Sequence, residues 1–232
     1  MSRNLKFAVG EYYHVYNRGV EKRIIFNNEF DYQRFLLLLI LVNDEKGVEV
    51  QQLVRDHSIP ELIAQNRKPL VSISSFCLMP NHYHLLLKEI TENGISKFMH
   101  KVGTGYALYF NLQNDRDGSL FQSTYKAKHI ENDRYLKYLF EYIHLNPLRK
   151  LLEEGQLIHS DLLPILIENP NTSLRVYAGK EKGRIAEAVL DQSDFRTLFS
   201  SFADHTKRLL QWNESNYKPN FEGGLASLKR RV

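Results

Sequence analysis

Two histidines one residue apart, His82 and His84, lie in the apolar segment "SFCLMPNHYHLLLK" of residues 75–88. The flanking residues predict a buried strand, and a strand turns alternate side chains to opposite faces, so both imidazoles lie on the same face. Two adjacent imidazoles can chelate a divalent cation if a third ligand comes from elsewhere in the chain. Histidine pairs at this spacing also occur in half-buried strands where they only form hydrogen bonds, so the pair alone leaves both interpretations open.

A second group that could do chemistry lies in "RYLKYLFEYIHLNP", which predicts a helix. Tyr142 and Asn146 are four residues apart, so they share one helical face, one turn from each other. Asn146 precedes Pro147, where the helix must end, so its amide lies near exposed backbone. Tyrosines at helical spacing usually form part of a core, and asparagine before proline is a common stop signal. Taken alone, this group therefore also has a purely structural interpretation.

The composition is that of an ordinary globular protein, with 43% hydrophobic and 25% charged residues among 232. The single cysteine, Cys77, excludes an intrachain disulfide and a cysteine-rich zinc site. We expect a cytoplasmic protein, because we find neither a secretory segment nor an apolar run long enough to span a bilayer. The net charge of +4 permits a nucleic-acid partner without requiring one.

The patterning predicts strands and helices in mixed order, which favours a compact α+β domain over a parallel doubly wound sheet. We place this domain at residues 1–150 and expect residues 44–70, with a short helix interrupted at Pro60, to be an insertion. Residues 151–232 are predicted to be a mainly helical extension. The expected elements are a strand at 11–18, a helix capped by Asp31, strands at 70–80 and 82–89, a helix at 93–113, a strand at 119–130, a helix from Asn132 or Asp133 to Asn146, and helices near 183–190 and 194–212.

Four motifs occur in an order and spacing that resemble one protein family. They are "NRG" after the first strand, "PNHYHLLL", "FQSTYKA" and "YIHLNPLR". Together they resemble the single-tyrosine HUH transposases, which comprise insertion-sequence transposases and their REP-associated relatives. The resemblance covers residues 11–150, with a fainter match at 173–179, and it implies an antiparallel sheet of ferredoxin-like or RRM-like type.

The resemblance also implies a role for each matching residue. His82 and His84 correspond to the metal-binding pair, Tyr142 to the nucleophile and Asn146 to the third metal ligand. The implied cofactor is Mg²⁺ or Mn²⁺, and a nitrogen-rich ligand set favours Mn²⁺. The implied reaction cleaves and rejoins single-stranded, hairpin-bearing DNA through a 5′-phosphotyrosine on Tyr142, as in DNA transposition.

Basic and aromatic side chains alternate in "FQSTYKAKH", a composition typical of surfaces that bind single-stranded nucleic acid. We predict that Tyr125, Lys126 and Lys128 contact DNA, and that Arg18 and Arg149 add phosphate contacts. Each of these cations is equally compatible with a solvated surface charge.

Two alternatives to a strand transferase are open at this point. The first is a hairpin-binding protein on the same fold that does not cleave. The second is a metal-dependent hydrolase, which would need further Asp or His ligands and would not need Tyr142. A homodimer is also open, as is whether Tyr142 completes its own site or that of a partner.

Overall fold

The computed structural model describes residues 5–154, 159–182 and 184–211. Its single four-stranded sheet has the order β2-β3-β1-β4, and every neighbouring pair is antiparallel. Helix α1 (Glu29–Leu41) connects β1 to β2, and α4 (Gly94–Gln113) connects β3 to β4. This βαββαβ order with antiparallel neighbours is that of the ferredoxin-like and RRM-like sheet, so the predicted α+β class is confirmed. The strands are β1 (Tyr12–Arg18), β2 (Val71–Met79), β3 (His82–Glu89) and β4 (Lys126–Ile130).

Helices α1 and α4 cover one face of the sheet and form the larger core with it. The odd-numbered residues of β1 and β3 point into this core, and Val15, Tyr83 and Leu85 are completely buried. Each such aliphatic or aromatic side chain contributes about 1.5–3 kcal/mol by leaving water. The alternation that buries these residues turns the even-numbered residues, including both histidines of β3, to the opposite face.

Helix α5 (Asp133–Leu145) covers this opposite face, where Cys77, Leu86 and Ile130 join its apolar side chains in a second core. Leucines and phenylalanines of the later helices enter the same core. The division of the chain at residue 150 therefore stays a prediction, since helices on both sides of it share this packing. The later helices are α6 (Arg149–Glu153), α7 (His159–Glu168), α8 (Leu174–Tyr177), α9 (Ile185–Val189), α10 (Ser193–Leu198) and α11 (Phe202–Leu210).

Polar contacts attach α5 to the C-terminal helices. Nδ1 of His144 in α5 lies 2.9 Å from Nε2 of His205 in α11, and Nε2 of His144 lies 2.8 Å from Oγ of Ser173. Arg208 of α11 also forms an ion pair with Glu141 of α5. Both histidines are fully buried, so these bonds satisfy polar groups that water does not reach.

Helix α1 begins earlier than predicted, and Asp31 is not its cap. Asn28 has extended backbone and accepts a hydrogen bond from the Asp31 amide, as an N-cap does. The Asp31 carboxylate instead accepts from the Asn27 amide at 2.7 Å and from the Tyr109 hydroxyl of α4 at 2.9 Å. Because Tyr109 is far from Asp31 in the sequence, the local pattern could not reveal this contact and suggested a cap instead.

Strand β4 is shorter than the predicted strand at 119–130. The side-chain amide of Asn17 donates to the carbonyls of Ser123 and Thr124, each at 2.9 Å. These bonds take the place of ladder hydrogen bonds, so regular pairing with β1 begins only at Lys126.

The described parts of the expected insertion and of the C-terminal extension contain helices, with boundaries that differ from those predicted. Residues 44–70 contain α2 (Val50–Asp56) and α3 (Ile59–Ala64), with Pro60 in the first turn of α3, where proline is tolerated. The single helix expected at 194–212 is divided into α10 and α11, because Ser201 is extended and caps α11. The ends of two predicted helices, Gly183 and Trp212, lie outside the described residues.

Among the helices within the described residues, none combines the length and the apolar character needed to cross a membrane.

Candidate catalytic site

The face of the sheet under α5 brings the predicted site residues of β1 and β3 together. The β1–β3 register pairs His84 with Tyr16 and His82 with Arg18, the last residue of β1. On its other side, His84 pairs with Cys77 of β2. Directly opposed residues of antiparallel strands share a face, so the guanidinium of Arg18 and both imidazoles project to the same side of the sheet.

In each histidine of the pair, Nδ1 is already hydrogen-bonded. His82 Nδ1 lies 2.6 Å from Oδ1 of Asn81, and His84 Nδ1 lies 2.9 Å from Nε2 of His14. The two rings of the pair have centroids 5.1 Å apart and are nearly perpendicular. In both rings Nε2 is the nitrogen that these bonds leave for another partner.

Burial keeps the imidazoles of this site neutral. It lowers the pKa of His82 to about 4, with the charge of Arg18 acting in the same direction. Burial likewise lowers the pKa of His84 well below its usual value and that of His14 to about 3. Neutral imidazole is the form that binds metal ions, so the chemical state of the pair fits a ligand role.

Tyr142 of α5 lies against His84 and His14 of its own chain. Its ring meets the ring of His84 edge-on, with centroids 5.9 Å apart and an interplanar angle of 88°. It meets His14 at the same centroid distance. The tyrosine is only 3% exposed. Tyr142 and these two histidines thus lie together within the single chain that the structure describes.

Asn146 and Arg149, which both follow the end of α5, contact Tyr142. Nη1 of Arg149 donates to the Tyr142 hydroxyl at 3.2 Å, and the guanidinium carbon lies 5.4 Å from the ring centroid. Asn146 donates from its side chain to the Tyr142 carbonyl at 3.5 Å. Burial raises the pKa of the Tyr142 phenol, while the charge of Arg149 and a side-chain hydrogen bond from Asn146 lower it, with burial the larger effect.

Four of the five residues predicted to contact DNA lie on or beside the sheet face that carries the histidines. In the β1–β4 register Lys126 is opposite Tyr16 and Lys128 is opposite His14, so both lysines share this face. Arg18 and Arg149 lie next to His82 and Tyr142, respectively. Nε of Arg18 is buried and makes no hydrogen bond within the part of the chain that the structure describes.

Tyr125, the fifth predicted DNA contact, lies on the other face. Its ring packs against the core under α4, and its hydroxyl donates to Oγ of Ser96 at 3.4 Å. The structure therefore does not bring Tyr125 together with the other predicted site residues.

Sequence reasoning missed His14 and the contact between Arg149 and Tyr142. Arg149 follows Tyr142 by seven residues, but α5 ends between them at Leu145, so helical spacing alone does not predict this contact. His14 alternates with Tyr16 and Arg18 along β1, which places the three on one face. Its neighbour in β3, however, depends on a strand register that the local sequence does not contain.

No group of three or more His, Cys, Asp and Glu side chains arranged to hold a metal ion occurs in residues 5–154, 159–182 and 184–211. A cation held by His82 and His84 therefore needs a ligand of another type, such as the carboxamide of Asn146.

The chain matches the family described as "Transposase IS200 like" over residues 9–146, which is more than half of its length. The chain belongs to this family. Both the histidine pair and Tyr142 lie within the matched region. Transposase activity and DNA binding are the functions of the family, and they agree with a sheet face that carries several basic side chains.

Among solved structures, the chain is similar to a REP-associated tyrosine transposase bound to a REP hairpin. The TM-score is 0.47 at 10% sequence identity, and the match covers 84% of this chain and 96% of the other. A likeness at this level carries no argument about what this chain binds. No curated protein matches the chain significantly.

Proposed function

We propose that this transposase cleaves and rejoins single-stranded DNA through a covalent 5′-phosphotyrosine on Tyr142. In this proposal His82, His84 and Asn146 hold a divalent cation, Mg²⁺ or Mn²⁺. The observation that carries the proposal is the contact of the Tyr142 ring with His84 in the same chain, at a centroid distance of 5.9 Å. A phenol beside a neutral imidazole that can bind a metal ion suits metal-assisted phosphoryl transfer to tyrosine.

The reaction exchanges one phosphoester for another. The Tyr142 phenolate oxygen bonds to phosphorus, the bond from phosphorus to O3′ breaks, and the 3′ oxygen takes up a proton as the phenol gives one up. The 5′ end then remains on the tyrosine while the 3′ end is a free hydroxyl. Because a phosphodiester is retained, attack by another 3′-hydroxyl reverses the step and joins new ends without ATP.

Arg149 supports the nucleophile in this reaction. A phenol has an unperturbed pKa of about 10, and burial raises that of Tyr142 further. The guanidinium that donates to the phenol oxygen at 3.2 Å stabilises the phenolate over the phenol. Sequence analysis assigned Arg149 to phosphate binding, and the contact found here adds a role at the attacking atom.

The donor set of the site fits a divalent cation. With Nδ1 of each histidine bonded to a neighbour, Nε2 remains as the ligand atom of both rings. Two neutral imidazoles and a carboxamide bring no charge, so a bound cation keeps its full charge for polarising and placing the scissile phosphate. The nitrogen ligands favour Mn²⁺ over Mg²⁺.

Basic side chains around the site have the charge that binding a DNA backbone requires. Arg18, Lys126 and Lys128 share the histidine face, and Nε of Arg18 is buried without a hydrogen-bond partner among the described residues. A phosphate oxygen would supply that partner. We expect the substrate to be single-stranded with a hairpin, and the protein to act in the cytoplasm. In this proposal Tyr142 and the histidines of one chain act together, and a homodimer stays a prediction.

Labelled single-stranded DNA with a hairpin, incubated with the full chain and Mn²⁺, tests the proposal by denaturing gel electrophoresis. We expect a covalent adduct that is absent in Tyr142→Phe and retained in Tyr138→Phe. Tyr138 is a matched control, because its ring stacks on Tyr142 from one turn earlier in α5 and phenylalanine preserves this packing.

Two outcomes of the same assay support the alternatives. Tight binding of the hairpin without any adduct indicates a binding protein that does not cleave. Cleavage that persists in Tyr142→Phe indicates a hydrolase in which water attacks phosphorus.

A further inference from the structure

His14 is a buried histidine that the proposed reaction leaves without a role. It lies in the middle of β1, is 4% exposed, and points to the face that α5 covers. Its Nε2 is 2.9 Å from Nδ1 of His84, and the two rings are stacked with centroids 5.1 Å apart. The two residues are diagonal neighbours across β1 and β3, because His84 is directly opposite Tyr16.

The hydrogen bond between these rings decides which nitrogen of His84 has a lone pair. A neutral imidazole carries one N–H and one acceptor nitrogen, and a single proton lies between His14 Nε2 and His84 Nδ1. If the proton is on His84 Nδ1, then Nε2 of His84 is an acceptor and can bind a cation. If it is on His14, then His84 bears its proton on Nε2 and cannot.

His82 shows the same arrangement with a different neighbour. Its Nδ1 is 2.6 Å from the side-chain oxygen of Asn81, and an amide oxygen can only accept. The proton is therefore on His82 Nδ1, which leaves Nε2 of that ring as the acceptor. A pair that binds one cation through both Nε2 atoms needs the same tautomer in His84.

We infer that His14 is a positioning residue of the metal site, which accepts a hydrogen bond from His84 Nδ1–H and so directs Nε2 of His84 toward the cation. This inference rests on the proposed function. It assigns His14 no direct contact with the cation. Hydrogen-bonding partners of metal-binding histidines typically contribute about 10–100-fold to metal affinity.

Two substitutions separate this role from simple packing. His14→Gln keeps an acceptor oxygen at the end of a side chain of similar reach, whereas His14→Leu fills much of the volume without any acceptor. His129→Gln is a matched control, since His129 is also a strand histidine but lies on the α1–α4 side of the sheet and bonds to Glu11. His84→Ala removes the proposed ligand itself.

Mn²⁺ binding to the full chain without DNA, followed by the electron paramagnetic resonance signal of free Mn²⁺, gives a readout independent of cleavage. We expect about 10–100-fold weaker binding for His14→Leu, near wild-type binding for His14→Gln and His129→Gln, and loss of binding for His84→Ala. Wild-type affinity in folded His14→Leu would overturn the role of His14 while leaving the proposed function intact. Absence of Mn²⁺ binding in the wild type would overturn both.

The tautomer of His84 can also be read directly in the wild-type protein. Two-bond nitrogen–proton spectra of ¹⁵N-histidine-labelled protein without added metal distinguish a proton on Nδ1 from one on Nε2. The inference predicts Nδ1–H for His84. A proton on Nε2 of His84 would overturn it even if His14→Leu failed to fold.

Discussion

The guanidinium of Arg149 donates a hydrogen bond to the hydroxyl of Tyr142 at 3.2 Å and also lies over its ring, 5.4 Å from the centroid. Tyr142 lies in the last turn of α5, which covers the histidine face of the sheet, and Arg149 begins the next helix. A short turn through Pro147 therefore brings the arginine back onto the tyrosine two turns before it. This relationship places a positive charge at the hydroxyl that we propose as the nucleophile.

Replacing Arg149 by methionine should slow adduct formation about 100-fold, a loss typical of removing one donor from a developing or reacting oxyanion. Arg149→Lys should lie between methionine and the wild type, because it keeps the charge but not the two-pronged geometry. The measurement is the single-turnover rate at saturating hairpin DNA and Mn²⁺. Arg134→Met removes a similar charge from the exposed start of α5 and should leave the rate unchanged. A wild-type rate in Arg149→Met would show that the contact with Tyr142 has no part in catalysis.

The ion pair between Glu141 and Arg208 should matter more than an exposed pair. Arg208→Met leaves a buried carboxylate without its partner and should lower the free energy of unfolding by about 1–3 kcal/mol. The double variant Glu141→Gln/Arg208→Met removes the stranded charge and should recover part of this loss. Urea unfolding gives the comparison, with Arg55→Met as the control because both members of the Arg55–Asp56 pair are exposed. Equal losses of unfolding free energy in Arg208→Met and Arg55→Met would contradict the prediction.

Stability should fall with acidification partly because His205 is buried as a neutral ring. Burial, reinforced by the charge of Arg208, lowers its pKa to about 3, whereas the unfolded chain has the usual value near 6.5. Above pH 6.5 the residue is neutral in both states and adds no pH dependence. As the pH falls from 6.5 toward 3, the unfolded chain binds a proton that the folded chain does not, which costs up to about 1.4 kcal/mol per pH unit.

His205→Gln tests this contribution, because glutamine does not titrate. Its free energy of unfolding should decline less steeply than that of the wild type between pH 6.5 and pH 4, measured by denaturant unfolding at each pH. His144, which faces His205 from α5, is present in both proteins, and because burial is the main cause of its low pKa, most of its contribution is common to both. Parallel pH dependences in the two proteins would show that His205 is protonated in the fold.

Two glycines of α4 differ in what surrounds them, so substitution should affect them differently. A Cβ on Gly103 would have no heavy atom within 4 Å, and Gly103→Ala should stabilise the helix by about 1 kcal/mol. A Cβ on Gly105 would lie 3.1 Å from a methyl group of buried Leu38 in α1, so this crowding should offset the gain in Gly105→Ala. Thermal unfolding compares the midpoints of the two variants. An equal rise in both would contradict the prediction, because it would show that Leu38 of α1 moves aside without cost.

Much of the fold could be predicted because its elements are marked by local patterns. Alternation identified β1 and β3, and helical spacing identified α4 and α5, each within one or two residues. The errors arose where a distant side chain determined the backbone. The amide of Asn17 shortens β4 by bonding to Ser123 and Thr124, more than a hundred residues away, and no local pattern contains that information.

The candidate site was predictable to the same extent. Strand geometry placed His82 and His84 on one face of a strand, and helical spacing placed Tyr142 and Asn146 on one face of a helix. The contact between strand and helix depends on the fold of the whole chain. His14 could not be assigned from sequence, because its contact with His84 depends on the register that sets His84 opposite Tyr16. The assigned roles of these residues remain proposals that the experiments above address.

The most direct test of the account identifies the residue that becomes linked to DNA. After reaction of the wild-type protein with hairpin-bearing single-stranded DNA and Mn²⁺, nuclease and protease digestion followed by tandem mass spectrometry locates the nucleotide on a peptide. The account predicts a 5′-phosphonucleotide on the oxygen of Tyr142, with a free 3′-hydroxyl on the released strand. A nucleotide attached to any other residue, or cleaved DNA with no nucleotide attached to the protein, would contradict it.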